Sequence, residues 1–80
     1  MLEVKVTPGD IVTPRGSTPM RSVPQPTYHS RGDYMIWEVG GLGLVIDRLN
    51  IRGSWKLCVL VDGKQWWVRE SAVEAINEAR

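Results

Sequence analysis

The sequence predicts an all-β fold: an antiparallel meander with the rest of the chain wrapped on it as a small barrel. Three observations carry this. Residues 43–68 read GLVIDRLNIRGSWKLCVLVDGKQWWV, with apolar runs at 44–49, 55–61 and 65–68. The last two runs flank Asp62-Gly63, a strong short-range hairpin signal, because a type I′ turn needs positive φ at both central residues. Gly43 lies inside an apolar run, where a glycine marks a bulge or a sharp bend such as a barrel corner.

The chain in order supports each element. Residues 2–6 alternate Leu2, Val4 and Val6 with Glu3 and Lys5, the pattern of a half-buried strand. Thr7-Pro8-Gly9-Asp10 is turn chemistry, Ile11-Val12 is a short apolar pair, and Pro14 is expected to end pairing on that side. Residues 13–33 read TPRGSTPMRSVPQPTYHSRGD. Pro14, Pro19, Pro24 and Pro26 forbid a helix there and discourage a central strand, and Pro24-Gln25-Pro26 favours an extended bend. No acidic residue occurs from Ile11 to Gly32, while Arg15, Arg21 and Arg31 do, so the segment reads as a basic arm. So long a loop in so small a domain is functional or disordered. Residues 34–39 (YMIWEV) are strand formers closed by Gly40-Gly41. Asn50-Ile51-Arg52-Gly53 is the next turn. In the following strand Trp55, Leu57, Val59 and Val61 form the expected core face. Trp66 and Trp67 must point to opposite faces, one buried and one exposed. The tail has two readings. Ser71 and Glu74 fit a capping box, with Ala72, Ala75, Ile76 and Ala79 at helical spacing. The alternative is one helical turn at 70–73 and a closing edge strand at 74–77.

Composition bounds the rest. Eighty residues make one domain, 1–80, with a modest core. The net charge of +1 gives no global pull toward nucleic acid or membrane. The single cysteine, Cys58, allows no intramolecular disulfide and reads as a packed thiol. No signal peptide and no transmembrane segment are expected. Phe is absent and Trp occurs four times, so indoles supply the aromatic packing.

Five short motifs then line up with a known pattern. They are Pro8-Gly9-Asp10-Ile11-Val12, Gly43-Leu44-Val45-Ile46, Val59-Leu60-Val61-Asp62-Gly63, Trp67-Val68, and Glu70-Ser71-Ala72-Val73-Glu74-Ala75-Ile76. Together they resemble the small SH3-like barrel proteins of tailed bacteriophages of marine and cyanobacterial hosts. The resemblance covers the chain except the arm. It implies an SH3-like antiparallel barrel with a hairpin on Asp-Gly and a 3₁₀ turn before a short closing strand; the long Pro/Arg-rich loop at 13–33 takes the place of the first long loop but departs from the pattern in its length and its Pro and Arg content.

Catalytic chemistry is not expected. One His, His29, cannot build a metal cluster with the distant Cys58, and no nucleophile–base–orienter spacing is visible. Gly40-Gly41-Leu42-Gly43 lacks the Lys-Ser/Thr of a phosphate loop, and Arg31-Gly32-Asp33 reads as an arginine before a turn. No cofactor or metal is therefore anticipated. The aromatics remain. Trp37, Trp55, Trp66 and Trp67, with Tyr28 and Tyr34, are either plugs for the barrel ends or a binding surface beside Arg15, Arg21 and Arg31. The expected function is a non-enzymatic protein–protein interaction module. The resemblance makes it a virion component such as a capsid-stabilising or connector protein, located in the virion or host cytoplasm. Its partner would be another virion subunit or a second copy. The alternatives are a nucleic-acid-binding regulatory barrel, with Arg15, Arg21, Arg31, Arg48 and Arg52 on phosphates, and an inhibitor of a host protein.

Overall fold

The computed structural model describes residues 6–76. The strand expected at 2–6 lies outside these residues apart from Val6, which is buried in the core. Seven strands follow: β1 (Ile11–Pro14), β2 (Thr18–Arg21), β3 (Tyr34–Trp37), β4 (Gly43–Ile51), β5 (Ser54–Val61), β6 (Lys64–Arg69) and β7 (Val73–Ala75). They form one antiparallel sheet in the order β3-β2-β6-β5-β4-β1-β7, curled into a half-barrel.

The meander β4-β5-β6 forms as the turn chemistry dictates. Asp62 and Gly63 have φ of 51° and 79°, and Arg52 and Gly53 have 54° and 85°. Both hairpins thus turn in two residues on the I′ pattern, which matches strand twist. Turn length sets the registers Val61↔Lys64 and Ile51↔Ser54. Thr7 and Asp10 close the first turn, with the Thr7 N–H donating to Asp10 Oδ2 at 3.0 Å.

Gly43 is not the bulge. The register of β4 against β5 shifts between Val45 and Asp47, leaving Ile46 unpaired. Gly43 serves close approach instead: a Cβ there would meet the Trp37 ring at 3.1 Å and a Val61 methyl at 3.2 Å. Trp37, on an edge strand, thereby packs across to β4 and β5 and helps close the half-barrel.

Three expectations are corrected. Pro14 does not end pairing: it faces Val73 in the β1–β7 ladder, and the next N–H, of Arg15, donates to the Ala72 carbonyl. The 13–33 arm is not one loop. Its residues 18–21 form β2, with Met20 1% exposed in the core. The expected core face of β5 loses Trp55, which is 40% exposed. The reason is overhang. Ladder β5–β6 stops at Lys56↔Arg69 and ladder β1–β4 at Leu44, so the β4–β5 tip has no sheet neighbour among the described residues. Arg48 covers the Trp55 ring instead, 3.7 Å from its centroid, while forking onto Glu70 at 3.0 and 3.2 Å.

The tail takes the turn-plus-strand form rather than a helix. A 3₁₀ turn (Glu70–Ala72) leads into β7. Val73 is buried, and the Ile76 N–H donates to the Ile11 carbonyl, so pairing beside β1 stabilises what helical spacing alone would not. Ala79 and Asn77 lie outside the described residues.

Candidate binding cleft on the outer sheet face

Side chains directly opposed across neighbouring strands share a face. The registers Tyr34↔Arg21, Arg21↔Trp67, Cys58↔Trp67 and Asp47↔Cys58 therefore set five residues in one row across β3, β2, β6, β5 and β4. This row is on the outer face, because its strand neighbours Met20, Trp66, Leu57 and Val59 are core. Two residues farther along the same face, Lys56 of β5 stands directly opposite Arg69 of β6.

The arm roofs this face. Ser22 and Asp33 pin the ends of the loop between β2 and β3, with the Ser22 N–H on the Asp33 carbonyl at 3.0 Å and the Asp33 N–H on Ser22 Oγ at 2.8 Å. Lys56 Nζ donates to the Pro24 carbonyl at 3.2 Å and holds the loop against the sheet. Between them opens a cleft of about 540 Å³, with Arg21, Tyr34, Lys56, Trp67 and Arg69 in its lining. It opens where β2 leaves β6, for these strands pair only at Arg21↔Trp67. A second, more open hollow of about 350 Å³ shares Arg21 and Pro26 with it and is lined further by Thr27, Tyr28 and Arg31.

The electrostatics are lopsided. Arg15, Arg48 and Lys64 pair with Glu74, Glu70 and Asp33. Arg21, Arg31, Arg52, Lys56 and Arg69 pair with no carboxylate among the described residues, and all but Arg52 line the two hollows. No described carboxylate lines either hollow. Arg21 lies over the Tyr34 ring, 4.8 Å from its centroid. The Lys64 ammonium holds the exposed Asp33 carboxyl below its ordinary range, through their 2.6 Å hydrogen bond and then through its charge.

The structure thus sorts the aromatics. Trp37 and Trp66 are core, 3% and 7% exposed, and offer no ring to a partner. Trp37 Nε1 is buried without a hydrogen-bond partner among the described residues. Trp55 belongs to the Arg48–Glu70 cluster, away from the cleft, and Arg15 to the exposed pair with Glu74. Arg21, Arg31, Tyr28 and Trp67 are brought together around the two hollows, with Tyr28 the most exposed large hydrophobic residue among those described, at 83%. His29 packs edge-on against Tyr28. Lys56 and Arg69 were not singled out from the sequence. A signal existed: both are equally distant from the Asp62-Gly63 turn, whose two-residue length sets them opposite one another.

Cys58 is buried within the outer row. Burial, and then the neighbouring Asp47 charge, push its thiol pKa up. Among the described residues, no group of three or more His, Cys, Asp or Glu could hold a metal ion, and no helix is long and apolar enough to cross a membrane. No protein-family model, no curated protein and no solved structure matches this chain.

Proposed function

We infer that this protein is a non-enzymatic interaction module that engages its partner on the outer sheet face beneath the arm. One observation carries the reading: four cations without carboxylate partners among the described residues and three aromatic rings, Tyr28, Tyr34 and Trp67, line two hollows that share Arg21 and Pro26, while the protein as a whole carries a net charge of only +1. Charges left unmatched on a folded surface favour an oppositely charged partner.

A protein partner is supported by a second surface. Among the described residues β3 is an edge strand with no partner on its outer side, and Tyr34, Ile36, Val39 and Leu42 along and just beyond it are exposed apolar side chains. Such an edge accepts an added strand. The finer reading, a virion component such as a capsid-stabilising or connector protein, rests on the motif resemblance to bacteriophage barrels.

The test is sedimentation of native source material on a density gradient, with the protein followed by mass spectrometry. Co-migration with large particles in many copies is expected. The double variant Lys56→Glu/Arg69→Glu should melt like the parent and lose that association. A protein that stays at the top of the gradient rejects the virion reading. A charge-reversed variant that still co-migrates rejects the cleft as the docking face.

A further inference from the structure

We propose that the cleft is a site for single-stranded nucleic acid, its phosphates on Arg21, Lys56, Arg69 and Arg31 and its bases against Trp67, Tyr34 and Tyr28. This rests on the cleft being the docking face.

Three features of the cleft point this way. The first is a local electrostatic conflict. Like charges directly opposed on a sheet destabilise it, yet Lys56 and Arg69 are cross-strand partners and no described carboxylate lines the cleft around them. Arg21 stands next to Trp67 in the adjacent row and adds a third positive charge. An anion in the cleft relieves all three repulsions at once. The second is the order of the groups. Cations and rings are mixed in both linings, Arg69, Lys56, Trp67, Arg21 and Tyr34 in the first hollow and Arg21, Arg31 and Tyr28 in the second. A carboxylate-rich protein segment needs the cations alone. A single strand uses both, with the backbone tracked by positive charge and the bases stacked on π-faces. The third is shape. The two hollows are open and share Arg21 and Pro26 in their linings, so they suit a chain lying over both better than one enclosed small molecule. Duplex is disfavoured because its bases are already stacked and cannot reach the rings.

The test is fluorescence anisotropy of a fluorescein-labelled twelve-nucleotide oligothymidylate, with tryptophan emission read in parallel. Binding should weaken linearly in log–log salt plots, with a slope of roughly −3 for four phosphate contacts on a single strand. Arg69→Gln should lower that slope by about 0.7. Trp67→Leu should weaken binding about fivefold or more, leave the slope unchanged, and remove the tryptophan quenching. If Trp67→Leu does not fold, Tyr34→Leu in the same row supplies the stacking readout. Polyglutamate of matched charge is the competing probe. If it binds as tightly as the oligonucleotide and neither quenches tryptophan, the ligand is an acidic protein segment. That outcome overturns the nucleic-acid assignment and leaves the docking face standing. If neither probe binds a natively folding protein, both readings fall.

Discussion

The two halves of the sheet are built by opposite means. β4-β5-β6 is a run of local hairpins with I′ turns, and its registers follow from the turn residues. The segment from β1 to β3 carries two prolines within its strands before the loop, Pro14 and Pro19, and it pairs at long range: β1 with β4 and β7, and β2 with β6. Yet both halves feed one core, Val12, Met20 and Trp37 from the first and Val45, Leu57, Val59, Trp66 and Val68 from the second. Proline limits a strand's hydrogen bonds without preventing burial of its alternate side chains. Pro19 is exposed on β2 while its neighbours Thr18 and Met20 are buried.

That equivalence has a sharp test. Met20→Ala and Leu57→Ala, each within 1% of full burial, should each cost about 2–5 kcal/mol in urea unfolding. A cost below about 1 kcal/mol for Met20→Ala would mean that the proline-rich half merely rests on a core made by the meander. A smaller effect separates the strand from the loop inside the arm. Replacing residues 23–29, which include Pro24 and Pro26, by a Gly/Ser linker of equal length should lower the melting temperature by roughly 3–16 °C and leave the transition cooperative. The main loss is the entropy that proline withholds from the unfolded chain, about 0.4–1 kcal/mol for each proline replaced, and about 4–8 °C accompanies each kcal/mol in a domain this small. Deleting residues 18–21 should abolish the cooperative transition. The Gly/Ser variant unfolding outright would place structural weight in the loop.

The smallest effect lies at Cys58. Its folded-state thiol pKa is raised, by burial and then by Asp47. The folded protein therefore holds the thiol proton more tightly than the unfolded chain. The stability this contributes is fully present below the unfolded value, about 8.5, and is lost as pH rises from there through the folded value. Alkylation at pH 8 should be slow in the native protein and reach the free-thiol rate in denaturant. Rapid native labelling would show that the outer row opens around Trp67.

Much of the architecture was legible in the residues. Asp62-Gly63 and Arg52-Gly53 dictate their turns because few residues accept positive φ, and strand alternation assigns Trp66 and Trp67 to opposite faces. Lys56 opposite Arg69 follows from the same turn length. Composition also marked the arm as basic. None of this says what lies over what. That Trp37 packs on Gly43, that Trp55 overhangs the core beside Arg48, and that residues 73–75 pair with β1 instead of coiling are outcomes of non-local contacts. The cleft is of the same kind. Its two walls, the outer face of β5-β6 and the proline loop after β2, are more than thirty residues apart in sequence at Pro24 and Lys56. Local periodicity carries no term for such an encounter, so only the folded chain brings four cations and three rings to one place.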